Sequence, residues 1–314
     1  MNKKKFFLSM LVTILVVVVI GGGLATANFL FGTSLSDEIS RYLDKTTTDK
    51  VNVLLMGLDE DKIRADVIMV VSVDPKENTV NVLSIPRDTR VQYSESKYDK
   101  INHAMGYKNP EETIIRLVKQ VTGMPIHYYC EVDFAGFRNV IDILGGVEFD
   151  VPIDMNYDDP AQNLHIHVNK GLQKLDGYNA EGVVRFRHTY VNGDADRISL
   201  QQDFLKAMFE QKLQPQYITK APAIIKEIYA HVKTNFSVAD ASKYLGMLKN
   251  MTSDSLQTYM LPGEGKYIGG VSYFVYRPEE TKEMILTGFG YPEEEAAKLK
   301  ETASASSSAS GKAQ

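Results

Sequence analysis

Residues 51–91 read VNVLLMGLDEDKIRADVIMVVSVDPKENTVNVLSIPRDTRV, and the architecture of the chain follows from this pattern. Residues 67–73 form a β-branched apolar run, residues 74–78 (Asp-Pro-Lys-Glu-Asn) are typical of a turn, and residues 80–85 form a second apolar run. This order predicts a β-hairpin. The apolar run Val51–Leu55 predicts another strand ahead of the hairpin.

Charged residues stand at the ends of the three predicted strands, and they are Asp59, Arg64, Asp66, Arg87 and Asp88. We expect a turn at Gly57 before Asp59, and we expect Arg64 and Asp66 to precede the second strand on one face. If the strands pair as neighbours, these charges converge at one edge of a sheet. Carboxylates there would hold a hard cation such as Mg²⁺, and arginines would bind phosphate oxygens. A surface salt-bridge network is the alternative.

Length and composition describe a globular, mildly acidic chain. It has 314 residues and a formal net charge of −5, which argues against a general nucleic-acid-binding protein. Its single cysteine, Cys130, excludes an intrachain disulfide and a cysteine-based zinc site. The apolar neighbours of Cys130 predict a buried thiol rather than a nucleophile.

The N-terminus predicts a membrane anchor. Residues 1–5 contain three lysines, and residues 6–31 are 26 uncharged, mostly apolar positions, enough to span a bilayer as a helix. The positive-inside rule keeps residues 1–5 in the cytoplasm and places the rest of the chain outside. A cleaved signal peptide is the alternative, because Ala25-Thr26-Ala27 resembles a cleavage site.

The interior alternates between predicted helices and strands, so we interpret residues 51–299 as one α/β domain. Residues 32–50 are polar and read as a stalk, whereas residues 300–314 are rich in Ser and Ala and predict a disordered tail. The predicted helices begin near Asn109, Asp133, Leu175, Ile198, Ala221, Ser237 and Pro278. The predicted strands include His127–Val132, Val147–Val151, Thr258–Leu261 and Ile268–Val275.

The polar segment Asp154–Lys170 contains two aspartates and two histidines of interest, Asp158, Asp159, His165 and His167. A His-x-His pair beside aspartates permits a metal site. On a half-exposed strand such a pair is more often simply solvated.

A second charged cluster follows. Val183–His188 predicts a strand with Arg185 and Arg187 on one face, where they repel each other unless an anion lies between them. Exposed arginines on an edge strand are the alternative. Asp194 and Arg197 stand at the turn into the next helix, whose free N–H groups favour anions. The two clusters offer more positive charge than one carboxylate substrate needs, and they suit a pyrophosphate with Mg²⁺.

Together these motifs resemble the LytR-CpsA-Psr family over about residues 51–213. The motifs are Asp59, Arg64-Ala65-Asp66, Ser84-Ile85-Pro86-Arg87-Asp88-Thr89, Lys100-Ile101-Asn102, Leu144-Gly145-Gly146-Val147, Arg185-Phe186-Arg187 and Gly193-Asp194 with Arg197 and Gln201-Gln202. The chain departs from the family pattern at Ala65, where serine is usual, and at His103-Ala104-Met105. Neither departure removes a charged position.

The resemblance implies a three-layer α-β-α domain with a central mixed β-sheet behind an N-terminal transmembrane helix. The implied activity moves an undecaprenyl-pyrophosphate-linked glycopolymer, either teichoic acid or capsular polysaccharide, onto peptidoglycan. A phosphodiester forms and undecaprenyl phosphate leaves. The implied location is a bacterial cell membrane of Gram-positive type, with the domain outside, the lipid-linked polymer and peptidoglycan as partners, and no nucleic acid.

The resemblance also implies roles for individual residues. The implied catalytic residues are Asp59, Arg64, Asp66 and Arg87, and the implied metal ligands for Mg²⁺ (or Mn²⁺) are Asp59 and Asp66. The implied pyrophosphate-binding residues are Arg64, Arg87, Arg185, Arg187 and Gln201, with support from Asp88, Asp194 and Arg197. Either Asp59 or Asp66 would serve as the base.

Three alternatives remain open at the level of sequence. A pyrophosphatase acting on the same lipid would use the same residues with water as the acceptor. A lipid-pyrophosphate-binding protein would bind without turnover. A transcription attenuator would need DNA contact, which the predicted outside location opposes. A nucleotide-driven enzyme is not supported, because no phosphate-binding loop motif occurs in the chain.

Overall fold

A computed structural model describes residues 50–59, 61–159, 164–186, 194–212, 228–237 and 250–291, together with residues 244 and 247. In residues 194–199 and 201–202 it describes the backbone only. Outside these ranges lie the predicted anchor and tail, nearly all of the predicted stalk, and most of the predicted helices Ala221–Val232 and Ser237–Leu248. Within the described ranges, no helix combines the length and apolarity needed to cross a membrane.

The described helices and strands alternate along the chain. The strands are β1 (Val51–Leu58), β2 (Ala65–Asp74), β3 (Thr79–Ile85), β4 (Arg90–Ser94), β5 (Lys97–Lys100), β6 (Tyr128–Val132), β7 (Val147–Val151), β8 (Met155–Asp159), β9 (Leu164–Val168), β10 (Gly171–Leu175), β11 (Lys233–Thr234), β12 (Leu256–Met260), β13 (Gly263–Ile268) and β14 (Val271–Tyr276). The α-helices are α1 (Pro110–Thr122), α2 (Phe134–Ile143), α3 (Gly177–Arg185), α4 (Asp194–Lys212) and α5 (Pro278–Phe289). Short 3₁₀ helices cover Ile101–Gly106 and Ser253–Ser255.

The main sheet has six strands in the order β11-β6-β1-β2-β3-β12. Strands β1 and β2 pair antiparallel, with Val51 opposite Val73 and Gly57 opposite Val67. Every residue from Val51 to Met56 is buried, so both faces of β1 are covered. The chain is therefore a mixed α/β protein with a central mixed sheet.

Contacts divide the chain into two compact units. The first contains the described parts of residues 75–82 and 130–259, and the second contains those of residues 50–74, 83–129 and 260–291. The two charged clusters predicted from the sequence fall in different units: Arg185 lies in the first unit, and the second unit contains Asp59, Arg64, Asp66, Arg87 and Asp88. The prediction of one domain over residues 51–299 stays a prediction.

The predicted hairpin is confirmed as β2 and β3, joined by a turn at residues 75–78. The predicted turn at Gly57 is wrong, because Gly57 lies inside β1 at a register shift between Gly57 and Leu58. A Cβ at Gly57 would lie 3.0 Å from Val67 Cβ, so the glycine permits a close strand approach rather than a turn. Asp66 likewise lies within β2 instead of ahead of it.

Two predicted helices are confirmed with their ends. Helix α1 has Asn109 at its N-cap, Pro110 in its first position and Gly123 in the left-handed conformation after its last turn. Helix α2 is capped by Asp133, whose Oδ1 accepts a hydrogen bond of 2.8 Å from the backbone N–H of Gly136. The predicted apolar face of α2 is buried, as the prediction required.

The prediction of a strand over Val183–His188 is wrong in its described part. Residues 177–185 are helical, Asp176 caps the helix, and Arg185 is its last residue. Glycines 177 and 182 weaken the helical signal in the sequence, yet packing requires them. A Cβ at Gly177 would lie within 3.0 Å of the backbone of Arg138, and one at Gly182 would lie 3.3 Å from Ile166 Cγ2.

Other element boundaries shift. The segment Asp154–Lys170, in which a half-exposed strand was considered only for the His-x-His pair, contains the antiparallel hairpin of β8 and β9. The strand predicted over Ile268–Val275 is confirmed as β14 from Val271 onward, but its predicted start is wrong. Strands β13 and β14 pair as a hairpin around Gly269 and Gly270, both with positive φ. Helix α4 is confirmed, but it begins at Asp194, which places Asp194 and Arg197 within the helix. Its predicted apolar residues Phe204, Leu205, Met208 and Phe209 are buried.

The substitution Gly177→Ala tests the close approach of α3 to the Arg138 backbone. We expect it to lower the free energy of unfolding by about 2 kcal/mol, because the new methyl group forces the backbones apart. Gly265→Ala is the matched control, since a Cβ there meets nothing within 4 Å, and it should change stability by less than about 0.5 kcal/mol. Chemical denaturation of the purified variants measures both, and equal stabilities would contradict the packing argument.

Candidate active site

The loop after β1 brings Asp59 and Arg64 together. The backbone N–H of Asp59 donates to the carbonyl oxygen of Arg64 at 3.0 Å. In return, Asp59 Oδ1 accepts from the backbone N–H groups of Ile63 and Arg64 at 3.0 and 3.1 Å. These bonds close the loop and orient the Asp59 carboxylate, while the Arg64 residue is exposed.

The ends of β2 and β3 are joined by an ion pair. Arg87 Nη1 donates to Asp66 Oδ1 at 2.7 Å, and the two side chains are only 22% and 25% exposed. Partial burial reduces solvent screening of this pair compared with a pair on the open surface. The predicted convergence of strand-end charges is therefore confirmed for Arg87 and Asp66.

Backbone hydrogen bonds fix the segment that carries Arg87. The N–H of Asn102 donates to the carbonyl oxygen of Arg87 at 3.2 Å, and the N–H of Ile101 donates to that of Thr89 at 2.9 Å. The N–H of Thr89 donates to the carbonyl oxygen of Pro86 at 2.9 Å and closes a tight turn after β3. Arg87 thus projects from a segment with little freedom to move.

Asp88 has a separate partner. Lys100 Nζ lies 2.8 Å from Asp88 Oδ1, and the backbone carbonyl of Asp88 accepts from Phe274 N–H at 2.9 Å. These contacts attach the residue after Arg87 to two further segments of the same unit. The supporting role assigned to Asp88 stays a prediction.

Among the described residues of these motifs, the buried polar atoms without a hydrogen-bond partner include two on uncharged side chains. They are Asn102 Oδ1 and Ser84 Oγ, in residues that are 4% and 5% exposed. An unsatisfied buried polar atom is costly, and it is expected where an ordered water or a ligand completes a site. The backbone N–H of Asn102 donates a hydrogen bond to the backbone of Arg87, so the unsatisfied Asn102 Oδ1 lies in a residue next to the predicted site.

In the first unit, Arg185 belongs to a cluster of four side chains. Glu181 Oε1 accepts from Arg185 Nη1 and Glu181 Oε2 accepts from Arg138 Nη1, each at 2.6 Å. The Arg185 guanidinium also lies 4.0 Å from the centre of the Phe134 ring. The side chains of Glu181, Arg185 and Arg138 are 5%, 15% and 39% exposed. The charges of Glu181 and Arg185 are therefore mostly buried.

The sequence did not reveal Glu181, Arg138 or Phe134 as part of the site. Glu181 and Arg185 are four residues apart, which is the spacing of a helical ion pair, but the sequence predicts that the helix gives way to a strand at Val183, before Arg185. Arg138 and Phe134 come from a different helix, and no local pattern connects them with Arg185. Lys100 stands in a recognised motif, although its pairing with Asp88 was not predicted.

The remaining predicted site residues lie outside the described side chains. Arg187 is outside the described ranges, and only the backbone of α4 is described at Asp194, Arg197 and Gln201. The roles assigned to these four residues stay predictions.

The donor set of the second unit fits a hard divalent cation. Both backbone hydrogen bonds to Asp59 fall on Oδ1, which leaves Oδ2 for another partner. Asp66 is half-buried and engages Arg87 through Oδ1. Two carboxylates of this kind are the ligand type that Mg²⁺ and Mn²⁺ prefer.

Cys130 is buried, as predicted. Burial raises the pKa of the Cys130 thiol, which keeps it protonated at neutral pH. The thiol therefore belongs to the core and does not serve as a nucleophile.

Known proteins with similar sequences carry a common function in their names. One is the polyisoprenyl-teichoic acid–peptidoglycan teichoic acid transferase TagV of Bacillus subtilis, 31% identical over 239 residues, or 73% of this chain and 61% of TagV. Another is the transferase of the same description, TagU, of Bacillus cereus, 29% identical over 297 residues, or 90% of this chain and 95% of TagU. The match to TagV thus spans about three fifths of that protein.

Similar solved structures include the crystal structure of B. subtilis TagV, with a TM-score of 0.67 and 28% identity over 79% of this chain and 100% of that one. A protein of Enterococcus faecalis, described as a transcriptional regulator, gives a TM-score of 0.64 and 28% identity over 81% and 94%. The model of the LytR_cpsA_psr family matches residues 30–288. Because that match covers well over half of the sequence, the chain belongs to the LytR_cpsA_psr family.

Proposed function

We propose that this chain transfers an undecaprenyl-pyrophosphate-linked glycopolymer onto peptidoglycan. The observation that carries the proposal is the Arg87–Asp66 pair beside the Asp59–Arg64 loop, in a chain whose relatives are named teichoic acid transferases. The acceptor is a sugar hydroxyl of peptidoglycan. The polymer is a teichoic acid or a capsular polysaccharide.

In the reaction, one bond to phosphorus forms and another bond to the same phosphorus breaks. The acceptor oxygen attacks the phosphorus that carries the glycopolymer, and the bond from that phosphorus to the bridging oxygen breaks. A phosphodiester forms and undecaprenyl phosphate leaves with the bridging oxygen. The hydroxyl proton passes to a carboxylate, either Asp59 or Asp66, because an unassisted sugar hydroxyl is a weak nucleophile.

Arginines provide most of the binding in this scheme. Phosphoryl transfer depends on positioning and on neutralising the phosphate oxygens, and guanidinium groups do both through paired hydrogen bonds. Arg64, Arg87 and Arg185 are the arginines assigned to the pyrophosphate whose side chains are described. Arg187 and Gln201 add further contacts, while Asp88, Asp194 and Arg197 support the site.

Asp59 and Asp66 would hold Mg²⁺, with Mn²⁺ as a substitute. A bound divalent ion would supply positive charge to the pyrophosphate oxygens. The hydrogen bonds to Asp59 Oδ1 and the Arg87 contact with Asp66 fix both carboxylates for this task.

The proposed setting is the outer surface of a bacterial membrane, of Gram-positive type. Residues 6–31 form the anchor, with residues 1–5 in the cytoplasm and a three-layer α-β-α catalytic domain outside. An undecaprenyl substrate resides in the membrane, so an anchored domain meets it without leaving the surface.

Asp66→Asn tests the carboxylate at the start of β2. With full-length protein in detergent, a lipid-pyrophosphate oligosaccharide, peptidoglycan fragments and Mg²⁺, we expect transfer to fall by about 100-fold or more, since a charge at the reacting phosphate is lost. Mass spectrometry of the phosphodiester conjugate measures the product. Without metal the wild-type protein should give none.

Asp74→Asn is the matched control for Asp66→Asn. Asp74 ends the same strand and pairs with Lys50 at 3.3 Å, so this change removes a similar ion pair away from the start of β2. It should retain transfer. Equal activity of the two variants would overturn the proposed role of Asp66, free sugar phosphate without conjugate would indicate hydrolysis, and bound lipid without turnover would indicate a binding protein.

Arg185→Ala and Arg138→Ala separate ligand binding from structure. Each removes one of the two arginines that contact Glu181, so we expect similar, modest decreases in melting temperature. Only Arg185→Ala should reduce transfer strongly, by about 100-fold, because Arg185 is assigned to the pyrophosphate and Arg138 is not. Matching losses of activity in both variants would show that the cluster is purely structural.

A further inference from the structure

The hairpin of β8 and β9 has one buried face and one polar face. Its strands pair antiparallel, with Asp158 opposite His165 and Asn156 opposite His167. Met155, Ile166 and Val168 alternate with these residues and are buried, which fixes the register. Asn156, Asp158, His165 and His167 are all exposed on the other face.

Three of these side chains converge on one point. His165 Nδ1 lies 2.5 Å and His167 Nε2 lies 3.3 Å from the same oxygen, Asp158 Oδ1. One ligand atom from each residue lies within 4.8 Å of the others. In a tetrahedral zinc site, bonds of about 2.0–2.2 Å separate the ligand atoms by about 3.3 Å, so small side-chain rotations would suffice.

Both ring nitrogens of His167 face an acceptor. Nδ1 lies 3.3 Å from Asn156 Oδ1, and Nε2 lies 3.3 Å from Asp158 Oδ1. A neutral imidazole has one N–H and can satisfy only one of these oxygens. A metal ion at Nε2 resolves the conflict, because the ring then donates from Nδ1 to Asn156, the usual outer contact of a metal-binding histidine.

We propose that Asp158, His165 and His167 bind a divalent transition-metal ion of the Zn²⁺ class. Two imidazoles with one carboxylate suit such an ion and are a poor set for Mg²⁺, which prefers oxygen ligands throughout. Water fills the remaining coordination positions. This metal site is separate from the carboxylates assigned to Mg²⁺ and does not depend on the proposed transferase activity.

The surroundings support the site. The hydroxyl of Tyr178 donates to the backbone oxygen of His165 at 3.0 Å and attaches β9 to α3. On the buried face, Ile166 packs against Gly182 of α3. A metal that joins the two strands would therefore brace the helix that ends at Arg185.

The test is Zn²⁺ binding by the full-length protein after treatment with a chelator. Competition with a chromophoric chelator should reveal a Zn²⁺ site in the wild-type chain that Mg²⁺ in large excess does not displace. The double variant His165→Ala/His167→Ala should weaken that affinity by more than the roughly 100-fold that loss of an outer contact can cost. Asn156→Ala, which removes only the outer contact, should weaken it by about 10-fold.

His103→Ala is the matched control. His103 Nδ1 lies 3.0 Å from Asp99 Oδ1 in a half-buried His–Asp pair, with no second histidine in the group among the described residues, and its removal should leave Zn²⁺ affinity unchanged. Zn²⁺ should also raise the melting temperature of the wild-type chain and the His103 variant, but not that of the double variant. Asp158→Asn provides a second loss of a ligand with little change of shape.

Either of two results would overturn the proposal. One is equal Zn²⁺ affinity in the wild-type chain and the double variant, including no binding by either. The other is an equal loss of affinity in His103→Ala. Because the three ligand residues are exposed, circular dichroism should show that every variant is folded.

Discussion

A strand that is buried on both faces leaves no place for charge along its length. Strand β1 is such a strand, since every residue from Val51 to Met56 is buried. A charge within it would lose its hydration without a partner, at a cost of several kcal/mol. Charge is therefore kept out of the buried length of β1, and the Arg87–Asp66 ion pair forms near the ends of β2 and β3. The position of the candidate site is a consequence of how the sheet is buried.

The two units hold their arginines in different ways. In the second unit, strand pairing does most of the positioning. Asp66 is the second residue of β2, and a hydrogen-bonded turn after β3 presents Arg87 to it. In the first unit, a helix presents Arg185 and a buried carboxylate, Glu181, holds it. The first arrangement depends on sheet register, whereas the second depends on the packing of α2 against α3.

Sequence reasoning worked where one local pattern dominated. The β2–β3 hairpin, the capped helices α1 and α2 and the apolar face of α4 were predicted because alternation, caps and helical spacing gave consistent signals. Sequence reasoning failed where packing against residues distant in the sequence determines which residue type is needed. Gly57 and Gly177 resemble turn residues, but they permit another part of the backbone to approach closely. The β8–β9 hairpin has one polar face, so its sequence resembles that of a loop. Asp59, Arg64, Asp66 and Arg87 could be selected as site candidates, whereas Glu181 required the fold.

The contacts of Arg185 have a thermodynamic consequence. A free arginine side chain carries about 2 kcal/mol of rotamer entropy, which a ligand must overcome when it fixes the group. Here Glu181 and the Phe134 ring order the guanidinium during folding. The entropic cost of ordering this group is therefore charged against the stability of the protein, and an arriving anion meets a side chain that has little conformational freedom left to lose.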